Sequence, residues 1–401
     1  MPDTDTSPDV AAPRLSLAAL FAKFLRFGLL AFGGPVAQIA MIRQALVEEE
    51  RWIDPARFNR LLAVMQVLPG PEAHELAVHM GMLSRGRIGG VLAGLGFMLP
   101  GLLLMLACGW AYGEWIAGRP GLAGILLGVQ VAVLAVIARS VQRIGQHILH
   151  GWLLAALALL AAAATLAGVP FWAPLVAGAF AYGRAADKPA AALSLALVIV
   201  AAAYLLLPHG DAAPLITGAT AQSTAAPLAL FVAGLKGGLL TFGGAYTAIP
   251  YVRADTVGRG WLSDGQFLDG VALANLLPAP LVIFATFVGY VAGGFAGALA
   301  ITAGMFLPAF AFSLVFFERL ETLVENPRLH ATLDGVAAAA VGVIAATLVQ
   351  LGQSAWERLE APLLALPIFA LAALAAWRLK GKWVTPAIVA AGAAAGAVLL
   401  A

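Results

Sequence analysis

Apolar blocks about 17–25 residues long follow one another through almost the whole chain, each the length of a membrane-spanning helix. They lie near 17–42, 60–82, 88–112, 122–142, 152–168, 170–184, 190–207, 226–251, 265–290, 295–317, 332–354, 361–377 and 383–400. The pattern predicts an all-α polytopic membrane protein with about 12–13 transmembrane helices.

The blocks repeat. Phe32-Gly33-Gly34 recurs as Phe242-Gly243-Gly244, and Trp52 and Phe58 recur as Trp261 and Phe267. Pro69-Gly70-Pro71 recurs as Pro278-Ala279-Pro280, Leu99-Pro100 as Leu307-Pro308, and Leu127-Gly128-Val129 as Asp334-Gly335-Val336. The order is kept and the offset drifts slowly, so the chain reads as a duplicated unit. The expected divisions are a polar tail (1–15), a first repeat (16–210), an extracytoplasmic linker (211–225) and a second repeat (226–401). Seven blocks precede the second repeat. An odd number of crossings delivers it upside down, an inverted-repeat plan that places a substrate site near the midplane between the repeats. Were 170–184 not to cross, the repeats would be parallel.

Composition agrees. Hydrophobic residues make up 62% of the 401 and charged ones 11%, too few to coat a soluble domain. A net charge of +2 gives no footprint for nucleic acid. The lone Cys108 forms no internal disulfide, no Cys/His spacing suggests zinc, and no cofactor is expected. The first block lacks a basic n-region and cleavage site, and reads as a retained span. With the N-terminus in the cytoplasm, inner segments carry Arg14, Arg85, Arg87, Arg139, Arg143, Arg184, Lys188, Arg253, Arg259, Arg319, Arg328, Arg378, Lys380 and Lys382. Outer segments carry Arg43, Arg51, Arg57, Arg60, Arg119 and Arg358. The excess on the first set favours that orientation, with the C-terminus outside.

Candidate chemistry sits at the breaks. Glycine and proline inside an apolar helix are costly, and in lipid a broken backbone survives only where it lines a cavity or is covered by protein. Gly33-Gly34-Pro35 would start a half-helix whose free N–H groups and dipole face an anion. The same argument covers Gly243-Gly244, Pro69-Gly70-Pro71 and Pro278-Ala279-Pro280. Isolated breaks read equally well as packing kinks. Their symmetric pairing favours binding. Arg26 and Lys236 are symmetry partners within spans, where a basic residue costs roughly 2.5–3.5 kcal/mol. Both are candidate anion ligands, against a reading in which they snorkel to the interface. Asn275, which aligns with Gln66, is a candidate amide donor. Glu72, His74 and Glu75 form the densest ionisable cluster inside a span and are proton-coupling candidates. The competing reading is acids placed favourably at a helix N-terminus. His74 and His79 are five apart, not the four a zinc protease needs.

Together Phe32-Gly33-Gly34-Pro35, Leu68-Pro69-Gly70-Pro71-Glu72-Ala73, Leu99-Pro100-Gly101, Thr241-Phe242-Gly243-Gly244-Ala245-Tyr246, Trp261-Leu262 and Phe287-Val288-Gly289-Tyr290 resemble the chromate ion transporter (CHR) family in its long, two-domain form. The resemblance implies export of chromate across a bacterial inner membrane, driven by the proton gradient, with sulfate as structural mimic. Ala279 departs from the glycine expected there. The partners expected are chromate or a sulfate-like oxyanion, protons and the lipid bilayer, with a homodimer left open. The alternatives are a transporter of sulfate or another oxyanion, a membrane-embedded enzyme using His74, Glu75 and His79, and an anion channel.

Overall fold

The computed structural model describes residues 12–32, 34–67, 69–117, 119–185, 187–206, 225–242, 244–316, 327–381 and 383–400. The tail 1–11, most of the linker, Gly33 and Gly243 lie outside them.

Fifteen helices carry the described chain. The first repeat holds α1 (Leu17–Leu29), α2 (Gly34–Arg43), α3 (Pro55–Val67), α4 (Glu72–Ala111), α5 (Ala123–Ile148), α6 (Trp152–Leu166), α7 (Trp172–Ala185) and α8 (Pro189–Leu206). The second holds α9 (Pro227–Leu239), α10 (Ala248–Thr256), α11 (Asp264–Leu276), α12 (Phe284–Ala311), α13 (Pro327–Glu357), α14 (Pro362–Arg378) and α15 (Val384–Leu399).

Four blocks that read as spans turn back at their breaks instead of crossing. In the first, α1 opens on a Ser16 cap and ends before Gly34. Lys23 Nζ on α1 then lies 2.5 Å from Glu50 Oε1. A helix continued through the break would hold residues that far apart in sequence roughly 40 Å apart. The chain from Gly34 to Glu50 therefore runs back beside α1. The second repeat copies this. Lys236 on α9 lies 3.2 Å from Asp255 on α10, where a straight helix would separate them by roughly 28 Å. α11 and α12 form another such hairpin. The rings of Phe267 and Phe284 stack edge to face at 5.6 Å across the Pro278-Ala279-Pro280 break, and Gly270 backs onto Phe287. In the first repeat, α3 and the start of α4 share one apolar cluster through Phe58, Leu61, Leu76 and Met80.

Both α4 and α12 contain a second reversal. Arg85 and Gly86 (φ 60°, ψ −155°) break the helix, and Gly293 and Gly294 (φ 63°, ψ −158°) break its counterpart. Gly81 then packs on Gly89, and Gly289 on Gly297. Positive φ makes glycine the fitting residue at Gly86 and Gly294. The second arm of α4 runs parallel to α1, with Gly96 against Phe21 and Gly28 against Phe97.

The repeats are inverted. Gly90 of α4 lies against Leu314 and Gly94 against Phe310, so equivalent arms of α4 and α12 cross antiparallel. The parity comes from the first repeat's odd fifth crossing, α8, which lies largely on the lipid side. The outer helices are exchanged between repeats. α5 packs on α14 and α15 of the second repeat, and α13 packs on α6 and α7 of the first. These contacts rest on small residues, Gly124 and Gly128 against Gly396, and Gly178 against Gly335.

Candidate functional site

The hairpin tips meet at the centre in two cross-repeat pairs. The Gly70 N–H donates to the Thr241 carbonyl at 2.9 Å, which ties the Pro69-Gly70-Pro71 tip to the Phe242 tip. Gln38, buried on α2, donates from Nε2 to the carbonyls of Ala31 and Ala279, each at 2.9 Å. That ties the Gly34-Pro35 tip to Pro278-Ala279-Pro280. Gly101 of α4 backs onto Ala279, and its image Ala309 lies 3.5 Å from the position a Gly70 Cβ would take. The small side chain at Ala279 therefore fills this contact.

From the tips a cavity of about 670 Å³ opens toward the face that holds Pro13, Ser84 and Glu50. One wall is the start of α2, from Gly34 to Ala37. The facing wall is α5, with Arg139, Ser140, Arg143 and His147. Gly244, Tyr246, Glu72, Asp334, Lys380 and Thr385 add to the polar lining. Gly34 (φ 78°) and Gly244 (φ 127°) hold positive φ, as a chain reversing at a tip requires.

The residues singled out by sequence fall in several places. Gly34, Pro35, Gly244 and Glu72 line the cavity. Pro69, Gly70, Pro71, Pro278 and Pro280 build the tips behind it, Pro71 as the residue preceding α4. Asn275 accepts the Tyr246 hydroxyl at 2.9 Å and donates to the Val271 carbonyl, so it reaches the cavity only through Tyr246. Glu75 and His74 are fully buried behind Gly70. His74 Nε2 contacts the Gly94 carbonyl at 3.2 Å between the rings of Phe306 and Phe310, while neither Glu75 oxygen has a hydrogen-bond partner. Arg26 is exposed in the last turn of α1. Lys236 is paired with Asp255, which also receives Arg259 at 3.3 Å.

Arg139, Arg143 and Lys380 stood in the sequence only as cytoplasmic loop charges. The i, i+4 spacing of Arg139 and Arg143 in a long apolar helix was the available signal for that pair. Lys236 clips the α9–α10 hairpin through Asp255. Lys236→Ala is expected to lower stability by about 1 kcal/mol, a half-exposed pair being worth little more. It should leave the concentration dependence of transport unchanged. Thermal unfolding and flux measured on the same preparation check both parts.

The opposite face is closed at the place the two-fold maps onto the cavity. There Arg253 of α10 makes a two-pronged ion pair with Asp264, at 2.7 and 2.9 Å, and donates to Gln350 of α13 at 3.0 Å. Tyr251 packs on Phe171 at 5.0 Å beneath it. Beside them Asp269 accepts from Tyr112 at 2.9 Å and Gln130 at 2.7 Å. α10 thus packs on α13, whereas its image α2 faces α5 across open space.

Inverted repeats with broken-helix hairpins around a central cavity are the plan of a polytopic membrane transporter. The family model described as Chromate transporter matches residues 18–184 and 228–397. The chain is 55% identical to a chromate transport protein of Pseudomonas aeruginosa, over 98% of this chain and 94% of that one. It is 32% identical to a probable chromate transport protein of Synechococcus elongatus, over 99% of each. It is also 32% identical to a chromate transport protein of Cupriavidus metallidurans, over 98% of this chain and 96% of that one. No solved structure matches. The protein belongs to the chromate transporter family.

Proposed function

We propose that this protein exports chromate from the cytoplasm through the inner membrane, with proton antiport through the Glu72 region. The observation that carries the reading is the one-sided cavity bounded by the Gly34-Pro35, Glu72 and Phe242–Gly244 tips, with basic side chains on its wall. An N-terminus in the cytoplasm is supported by charge. The hairpins return Arg43, Arg51, Arg57 and Arg60 to the N-terminal face and carry Arg253 and Arg259 to the other. Among the described residues only Arg119, Arg253, Arg259 and Arg358 then lie on that other face, outside the spans. The cavity would thus be open to the cytoplasm, where a toxic anion must be collected.

Export of a dianion is favoured by an interior-negative potential. Each charge gains about 2.3 kcal/mol per 100 mV, so two gain about 4.6, or roughly three powers of ten in concentration. Proton exchange adds to this drive rather than replacing it. Glu72 at the cavity and the unpartnered Glu75 behind it are the carboxylates suited to carry the proton, with His74 beside them. Sulfate or another tetrahedral oxyanion is the second reading, since a cavity of about 670 Å³ is far roomier than any one of these ions needs.

Purified protein in liposomes is expected to show saturable chromate flux, inhibited by sulfate and accelerated by an imposed potential. A pH gradient should stimulate it further, and Glu72→Gln should remove that stimulation while the potential-driven flux remains. Flux no greater than in empty liposomes would overturn the chromate assignment. Stimulation that persists in both Glu72→Gln and Glu75→Gln would overturn proton antiport through this cluster.

A further inference from the structure

Arg139 and Arg143 lie one turn apart on α5, so both project from one side of the helix into the cavity. α5 ends at Ile148, which puts Arg139 roughly 14 Å and Arg143 roughly 8 Å above its end at 1.5 Å per residue. Arg139 is deeper than the membrane interface requires, and it is half-buried. Neither arginine takes part in any of the ion pairs among the described residues. Glu72 and Asp334 line the same cavity without pairing to them. A guanidinium cannot shed its charge, so the half-buried Arg139 and the exposed Arg143 present two unpaired positive charges to the cavity, which a bound anion would neutralise.

The opposite wall is complementary. The α2 N-terminus presents backbone N–H groups that no helical carbonyl accepts. A tetrahedral oxyanion offers four acceptor oxygens, enough for two forked guanidiniums and the N–H groups of a helix end. Two of the nearby hydroxyls are committed elsewhere, Ser140 to the Val136 carbonyl and Tyr246 to Asn275.

We propose that Arg139 and Arg143 together form the charge-neutralising half of the substrate site, and that their number selects divalent tetrahedral oxyanions over monovalent anions. The inference rests on the transporter reading and names the residues that would set its selectivity. The pair has no image in the second repeat. The Gly128–Gly335 correspondence, carried along the helices, puts Ala346 and Gln350 at the matching places on α13. Gln350 is held by Arg253 in the closed face. The cation pair therefore belongs to α5 alone.

The test uses full-length protein in two assays. In detergent, sulfate and chromate should raise the melting temperature of the wild type and nitrate should not. Arg139→Gln and Arg143→Gln should each weaken this binding roughly tenfold or more, the usual effect of losing a charge-assisted contact. The double variant should show no anion-dependent shift. The double lysine variant should regain part of it, because charge without the fork restores attraction but not alignment. In liposomes each glutamine variant should need a higher chromate concentration for half-maximal flux, and nitrate should compete where it did not before. Size-exclusion profiles matching the wild type exclude misfolding. A folded double glutamine variant that binds and moves chromate with unchanged concentration dependence would overturn the inference. Dianion stabilisation that depends on the arginines in a protein without flux would uphold it while the transport reading fell.

Discussion

Arg253→Ala is expected to open the closed face and to lower transport at least tenfold. Arg253 is held between Asp264 and Gln350 with 15% of its side chain exposed, and Asp264 is 14% exposed. Removing the guanidinium leaves a mostly buried carboxylate without its partner. Full burial would put the loss at about 3–5 kcal/mol, and the residual exposure reduces it to roughly 2 kcal/mol. The loss falls on the state closed at this face, because the pair links α10 and α11 to α13 across the seam that must part for the opposite opening. A shift of roughly 2 kcal/mol changes the ratio of the two states by about thirtyfold. The protein would then rest with its cavity turned away from the face to which it is open here. The measurement is labelling of Ser140→Cys, in a Cys108→Ser background, by an impermeant thiol reagent added from the side of the Arg253 face. Faster labelling with Arg253→Ala supports a gate at this ion pair. An unchanged rate means that Tyr251, Phe171 and the Asp269 cluster close the face without it.

Gly128→Leu is expected to abolish the folded protein. Gly128 lies where α5 crosses α15. A Cβ there would overlap the Gly392 carbonyl and lie 2.6 Å from the Gly396 Cα. Neither neighbour is the end of a flexible side chain, so the helices themselves would have to separate. Overpacking in a core costs about 1–3 kcal/mol, and more when backbone must move. Lipid supplies no hydrophobic force to hold two parted helices, since their association depends on close packing. The crossing also carries the exchange of outer helices between the repeats, so its loss frees α15 from the wall that holds Arg139 and Arg143. Gly352→Leu on α13, where a Cβ meets nothing within 4 Å, is the control and should fold as the wild type does. The yield of monodisperse protein and its melting temperature decide the matter. A well-folded Gly128→Leu would mean that α15 is not anchored at this crossing.

The sequence by itself determined the class of structure, the duplication, and the positions at which helices stop. Apolar block length is set by the bilayer, and Gly-Gly-Pro or Pro-X-Pro interrupts a helix whatever surrounds it. The odd parity held although the number of crossings did not, because the two first-repeat blocks that turn back, 17–42 and 60–82, reduce the seven expected crossings to five. α8, the last block before the linker, is the crossing without an image in the second repeat. The direction in which a broken helix resumes was not legible. A break frees backbone groups equally for a kink or a reversal, and packing decides between them. Here Gly28 and Gly96, and Gly234 and Gly304, let α1 and α9 press against the second arms of α4 and α12, with Lys23 and Lys236 clipping the returning strands of chain. That reversal moved the basic residues. Lys236, which reads from sequence as a midplane cation, finds Asp255 nineteen positions away because the hairpin folds back. Arg139 and Arg143, which read as loop charges, line the cavity because α5 is the wall facing the α2 tip. Residue type and spacing report what a side chain can do. Which charge meets a carboxylate and which meets open space depends on how the broken helices fold back and on which helix faces them, nineteen residues apart for Lys236 and Asp255 and about a hundred for the α2 tip and Arg139, and only the tertiary structure decides that.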